Sequence, residues 1–323
     1  MRVVASTPQL CQNLRRNDFS VKNKLVPLEG PRQAATHYLT GGNSRWDKVA
    51  QADGLATHRR KIVNKKAFLA MAFVIGLTAA VLAAAVWAAN QTDTLPASGG
   101  EIQITPIMHS SVQLEYGGKV IQVDPVAAYD NVDLPLLGKF DPLKQADLIL
   151  ITDIHPENLD LAEIGKLRKA GTPVVMPAAA ASEAGAKIPA PTFVLANGDN
   201  KAVADVGIEA VPMYNMQHGP KPGEVYHPKG RGNGYIVTLG GKRLYFMGDT
   251  ECTAEAKAVK DVDVLFIPMN MPQTMTPGDA AECLKAIQPK IAYPYHYEGQ
   301  KRDEAFLKAL LRGSAVDFRA SLR

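Results

Sequence analysis

Cysteine is scarce in this chain of 323 residues. Only Cys11, Cys252 and Cys283 are present, too few and too scattered for a disulfide framework or a cysteine-based zinc module. No short-period repeat is visible, which sets repeat architectures aside. With 46% hydrophobic and 21% charged residues, the composition excludes disorder, collagen and coiled coil and suffices for one or two globular domains. Acidic residues are nearly missing from positions 1–66, which carry 4 Asp/Glu against 13 Lys/Arg. Charge of either sign is missing from positions 67–90, and positions 91–323 carry 28 acidic against 23 basic residues. The net charge of +4 therefore conceals an acidic C-terminal part, which argues against a nucleic-acid partner.

The uncharged stretch Ala67–Ala89 reads AFLAMAFVIGLTAAVLAAAVWAA, 23 residues interrupted only by Gly76. A helix of that length crosses a hydrocarbon core of about 30 Å. Arg59, Arg60, Lys61, Lys65 and Lys66 precede it and the first acid after it is Asp93, which places the N-terminus in the cytoplasm and the rest outside. Two readings stay open: a signal peptide cleaved after Val86-Trp87-Ala88, or an uncleaved anchor that contacts the membrane through residues 67–89. Either leaves the C-terminal part periplasmic or tethered to the inner membrane. Residues 1–60 lack a sustained apolar period and read as disordered, with translation starting near Val63; Pro96–Gly100 closes a linker over 91–100.

Beyond Gly100 strands and helices alternate. Glu101–Thr105, Val112–Tyr116 and Lys119–Asp124 read as strands, the last two joined at Gly117-Gly118. Asp147–Thr152, Pro173–Met176, Gly207–Met213, Tyr235–Leu239, Arg243–Met247, Asp263–Ile267 and Ile291–Tyr293 follow as strands, with a second Gly-Gly turn at 240–241. Helices are expected over Leu159–Ala170, closed by Gly171, over Pro277–Ile287, capped by Thr276, and over Arg302–Leu311. Meander strands opening each half, then alternating strands and helices, suggest two sheets between helices.

Four of the five histidines beyond the apolar stretch, His109, His155, His227 and His296, fall at strand ends or in the loops after them, where α/β proteins place their chemistry. ILITDIHPENLD sets Asp153, His155, Glu157, Asn158 and Asp160 on one turn after a buried strand, a costly cluster unless something satisfies it. A divalent metal would do so; an ordinary strand-to-helix turn capped by Asn158 or Asp160 is the plainer reading. Asp249 and His296 repeat the placement at two more strand ends, and imidazole with carboxylate suits zinc, iron or manganese.

Six segments then carry a resemblance: MHSSVQLEYGGKVIQVDP (108–125), ILITDIHPENLD (149–160), VPMYN (211–215), YHPKGRGNGYIV (226–237), LYFMGDT (244–250) and TMTPGDAAECLKAIQPKIAYPYHY (274–297). In order and spacing the chain resembles the metallo-β-lactamase superfamily, nearest to its ascorbate-6-phosphate lactonase-type and N-acylphosphatidylethanolamine phospholipase D-type branch. The resemblance implies an α/β fold over 101–323, a four-layer αββα sandwich, here preceded by the single membrane-spanning or signal helix.

The H-x-H-x-D-H signature of that family falls on Asp153, His155, Glu157 and Asn158, keeping only its second histidine. Carried over by position, the resemblance gives a first metal to Asp153, His155, His227 and Asp249, and a second to Glu157, Asn158, Asp249 and His296. Asn158 is the serious departure, since a neutral amide carbonyl is a weak zinc ligand, so one firm Zn2+ site and one doubtful site are expected, with Mn2+ or Fe2+ as alternatives. The implied chemistry is metal-assisted attack of water on an ester, lactone, amide or phosphodiester of a small-molecule or lipid-like substrate, with Asp249 or Glu157 orienting the water and moving its proton. His109 and Asp124 are placed behind the ligands or on the substrate side, and Tyr214, Tyr295 and Tyr297 are candidates for the pocket wall. Lys221, Lys229 and Arg231 could attract an anion, though a solvated basic loop is the plainer reading. The alternative function is a pseudoenzyme of the same fold, a binding or scaffold module. Hydrolysis of β-lactams is not expected from this branch.

Overall fold

The computed structural model describes residues 92–126, 143–297 and 301–319. The basic N-terminal segment and the apolar stretch 67–89 lie outside the described residues. Among those described, no helix is long and apolar enough to cross a membrane.

Among the described residues fourteen strands form two seven-stranded sheets. The first sheet runs in chain order through β1 (Asp93–Ala97), β2 (Gly100–Met108), β3 (Ser111–Tyr116), β4 (Lys119–Val123), β5 (Leu148–Leu150), β6 (Val174–Met176) and β7 (Thr192–Val194). The second holds β8 (Asn200–Val203), β9 (Val206–Met213), β10 (Gly232–Leu239), β11 (Lys242–Phe246), β12 (Val264–Pro268), β13 (Ile291–Tyr295) and β14 (Asp317–Phe318). In each sheet the first four strands pair antiparallel and the last three add in parallel. Gly117-Gly118 and Gly240-Gly241 close the β3–β4 and β10–β11 hairpins with both residues at positive φ, the geometry of a type I′ turn that glycine adopts without a steric cost.

The α-helices of the described residues are α1 (Leu161–Leu167), α2 (Ala178–Ala184), α3 (Ala254–Ala258), α4 (Pro277–Ile287) and α5 (Lys301–Leu310). Buried side chains fall into three main clusters that define four layers. Ile104, Leu114, Ile121 and Leu148 of the first sheet share one core with Ile208, Tyr235, Leu244 and Phe266 of the second. On its other face the first sheet packs Ile149 and Val174 against Ile164 of α1 and Ala180 of α2. The second sheet does the same with Tyr245 and Leu265 against Ala256 of α3, Leu284 of α4 and Leu307 of α5. The expected αββα sandwich is thus the arrangement of the described residues.

Two expectations are corrected. Within the linker expected over 91–100, the described residues are ordered: Asp93–Ala97 is β1, paired antiparallel with β2, and Leu95 and Ala97 pack against the core between the sheets. Pro96 is tolerated because β1 is an edge strand. The helix expected to reach Gly171 stops at Leu167, because Arg168 turns extended and bridges in parallel to Ala146. Its start is where the capping chemistry puts it, with Asp160 Oδ1 accepting from the amides of Ala162 and Glu163. Thr276 caps α4 in a full capping box with Asp279.

The three cysteines make no framework, yet Cys252 and Cys283 are disulfide-bonded, with Cα atoms 5.6 Å apart, and join the segment before α3 to α4 across 31 residues. Replacing Cys283 by Ala is expected to lower the unfolding free energy by about 2–4 kcal/mol. Urea unfolding of both proteins, with intact mass measured before and after reduction, checks this.

Candidate metal centre

The strand senses bring the chemistry to one edge. β2, β4 and β5 run the same way, and so do β9, β11 and β13, so the residues that follow these strands emerge together: His109, Asp124 and Asp153 from the first sheet, Tyr214, Asp249 and His296 from the second. β10 runs opposite, so His227 and Arg231 reach the same edge from before its start. His109, Asp124 and His296 sit at φ 45°, 43° and 42°, left-handed values that cost a non-glycine residue free energy. Each turns the chain sharply at a strand end and directs a buried side chain inward.

Asp153, His155, His227 and Asp249 gather with ligand atoms all within 4.8 Å of one another. Asp249 Oδ2 lies 3.9 Å from His155 Nδ1 and 3.8 Å from His227 Nε2. Donors bound at ~2.1 Å in a tetrahedral site stand about 3.4 Å apart, so modest contraction brings these three onto one ion. The orientation of His227 is set from behind: its Nδ1 donates to Asn215 Oδ1 at 2.5 Å, which leaves the Nε2 lone pair on the Asp249 side. Burial lowers the His227 pKa to about 4, so the ring is neutral and able to ligate at pH 7. Burial also raises the pKa of Asp249, whose Oδ2 has no hydrogen-bond donor although it is shielded from solvent. A buried carboxylate oxygen without a donor, facing two imidazoles, makes a donor set that fits a divalent metal.

Asp153 is held differently. Both of its oxygens accept from Arg231, Oδ1 from Nε at 3.0 Å and Oδ2 from Nη2 at 2.5 Å, while Nη2 also lies 3.1 Å from His155 Nε2. The guanidinium thus pairs with a candidate ligand whose Oδ2 also lies 3.6 Å from His155 Nδ1.

A family model for the beta-lactamase superfamily domain matches residues 103–296. The chain belongs to the metallo-β-lactamase superfamily. It is 29% identical over 201 residues to a metal-dependent hydrolase of Pyrococcus furiosus, covering 61% of this chain and 84% of that protein. It is 38% identical to a putative metal-dependent hydrolase of Parabacteroides distasonis of known structure, with a TM-score of 0.62 over 72% of this chain and 99% of the other. The metallo hydrolase Igni18 of Ignicoccus hospitalis shares the fold at 21% identity, with a TM-score of 0.55 over 68% of this chain and 94% of the other. Membership makes this chain an enzyme of the metal-dependent hydrolase class.

Of the second ligand set that the superfamily pattern implies, Asp249, His296 and Asn158 lie together and Glu157 stands apart from them. Glu157 stands beside the first cluster, its Oε1 3.8 Å from His155 Nδ1. Asn158 points its amide nitrogen at Thr152 Oγ1 (2.9 Å), Asp124 Oδ2 (3.3 Å) and His296 Nε2 (3.4 Å), and its buried Oδ1 has no hydrogen-bond donor. His296 Nδ1 approaches Asp249 Oδ1 to 2.8 Å, and the His296 ring packs edge-on against His109 with centroids 4.9 Å apart. Burial lowers the pKa of both rings to about 3. Among the described residues the four-residue cluster is the sole His/Cys/Asp/Glu group that could hold an ion.

Asp124 anchors a network beneath the centre. It accepts from the Thr152 amide (2.8 Å) and hydroxyl (2.6 Å), the Tyr295 hydroxyl (2.9 Å) and Asn158. Full burial raises its pKa to about 7 despite these donors. Tyr295 is therefore a buried strut and not a pocket wall, and replacing it with Phe is expected to cost about 1 kcal/mol in thermal unfolding. Tyr214 faces α3, donating to Glu255 at 2.9 Å, and Tyr297 is buried in the outer core. The three basic residues of the loop are each paired, Lys221 with Glu224 (2.9 Å), Lys229 with Glu255 (2.5 Å) and Arg231 with Asp153, so none is a bare anion trap. Asn215 and Thr152 are functional positions the sequence reading did not single out; VPMYN contains the first, but nothing local marks its amide as the partner of His227.

Proposed function

We propose that this metal-dependent hydrolase is exported and works with one ion, held by His155, His227 and Asp249, to cleave an ester, lactone, amide or phosphodiester of a small-molecule or lipid-like substrate. The buried Asp249 oxygen without a donor, set between two imidazoles, carries the metal reading. Zinc suits two imidazoles and a carboxylate, and Mn2+ or Fe2+ are the alternatives the same donors admit. Bound there, the ion would supply Lewis acidity and an activated water. Asp249 is buried and committed to the ligand cluster, whereas the Glu157 side chain is 21% exposed beside His155 and can accept a proton from water entering the site. The side of the site past His155, 31% exposed, is the path for substrate.

Export is supported by the uncharged stretch 67–89 after a basic run, and by a disulfide, a bond that persists in oxidising compartments. The expected location is the periplasm, or the inner membrane through an uncleaved anchor. The similarity to the lactonase-type and phospholipase D-type branch favours ester-like and phosphodiester substrates.

Metal content measured on purified protein, paired with a panel of lactone, phosphodiester and acyl-amide substrates, tests the proposal. One equivalent of metal and turnover lost in His155→Ala are expected. Glu157→Gln should keep the metal and lose about 10²–10⁴-fold in kcat. The hold of Arg231 on Asp153 favours the second reading, a binding module; less than half an equivalent of metal and no effect of His155→Ala would establish it.

A further inference from the structure

We infer that Arg231 is a built-in counter-ion that withholds Asp153 from the metal, so that the ion binds on His155, His227 and Asp249 alone. The inference rests on the single-ion reading above. Asp153 is fully buried and both its oxygens are taken by the guanidinium fork, the geometry in which arginine matches a carboxylate. No oxygen of Asp153 is left without a donor, in contrast to Asp249 Oδ2. Arg231 is not a loose surface chain. Its amide bonds to Pro228 O at 3.2 Å, and it immediately precedes Gly232, the first residue of β10, paired with Met213. Its side chain is 19% exposed, and Nη2 touches His155 Nε2 as well as Asp153. The same guanidinium therefore neutralises one carboxylate and stands against Nε2 of His155, whose Nδ1 faces Asp249 and Glu157 at 3.9 and 3.8 Å.

A buried carboxylate deprived of its cation is strongly destabilising, and a divalent ion is the cation at hand. Removing the guanidinium should thus hand Asp153 to the metal. The test titrates Co2+ into the metal-free protein and its variants, reading affinity and the visible cobalt spectrum, with thermal unfolding followed alongside. Arg231→Met should melt lower than wild type when metal-free, bind Co2+ at least ~10-fold tighter and show an altered spectrum, all three effects following from one uncovered buried charge. The gain in affinity and the spectral change should vanish in Arg231→Met combined with Asp153→Asn. Asp153→Asn alone, nearly isosteric, should shift Co2+ affinity by less than about fivefold, whereas His227→Ala should lose at least ~100-fold, the scale of a lost ligand. Arg231→Lys, which keeps the charge without the fork, should fall between wild type and Arg231→Met and serves if the Met variant folds poorly.

If Asp153→Asn weakens binding as much as His227→Ala, Asp153 is a ligand and the inference fails while the metal centre stands. Unchanged affinity and spectrum in both Arg231 variants also overturn it. No Co2+ binding by the wild-type protein overturns the metal reading and this inference with it.

Discussion

Replacing Asp249 by Asn is expected to move function and stability in opposite directions. Metal content should fall below a tenth of an equivalent and kcat/KM by at least about 10³-fold, because the sole anionic ligand not already neutralised within the chain is gone. The metal-free variant should nevertheless melt higher than metal-free wild type. Asp249 Oδ2 is buried without a donor and its pKa is raised by that burial, so the wild-type fold carries an uncompensated charge that an amide does not. Relief of about 1–3 kcal/mol corresponds to a rise of roughly 2–10 °C in a domain of this size. Scanning calorimetry on chelator-treated proteins, with elemental analysis of the untreated ones, reads both effects. A metal-free variant that melts lower would show that Asp249 is held by its neighbours and is not poised for an ion.

The second large effect is acid sensitivity of the metal-free fold. Burial lowers His109 and His296 from 6.5 to about 3 and His227 to about 4. A group depressed in the folded state favours folding above its unfolded pKa, so this stability is complete above 6.5 and is lost as the pH falls toward 3–4. Between pH 7 and 5 each ring accounts for a loss of about 2 kcal/mol. Asp124 works the other way: raised from 3.8 to about 7, it stabilises most at low pH, and this contribution fades as the pH rises through 7. It returns about 2 kcal/mol over the same interval, so the three rings and Asp124 together leave a net loss of about 3–4 kcal/mol. Urea unfolding at pH 7 and 5 should show this fall, and Asp124→Asn should make the fall steeper by removing the opposing group. Equal stability at the two pH values would mean the histidines are protonated in the folded protein.

Much of the architecture was legible because it is written in local chemistry. The continuous apolar runs at 148–150 and 264–268, the Gly-Gly turns and the Thr276-Pro277 helix start each determine a conformation from neighbouring residues. Elements were missed where that local signal is absent. The β8–β9 hairpin turns on Ala204-Asp205, at φ 50° and 62°, without the glycine that announces such turns. β1 carries a proline and was hidden by the Gly-Gly that follows it. The histidines and acids at strand ends were found because alternation of strand and helix fixes where strands end.

By itself the sequence pointed to the sandwich, the edge at which its chemistry gathers and seven candidate ligands, of which Asp153, His155, His227 and Asp249 form one cluster. Only the tertiary structure decided how their neighbours are employed. Arg231 meets Asp153 across 78 residues, Asn158 meets His296 across 138, and Cys252 meets Cys283 across 31. A charge or an amide declares what it can bond to, but its partner is chosen by whichever group the packed sheets bring within about 3 Å, and that selection has no local record in the chain.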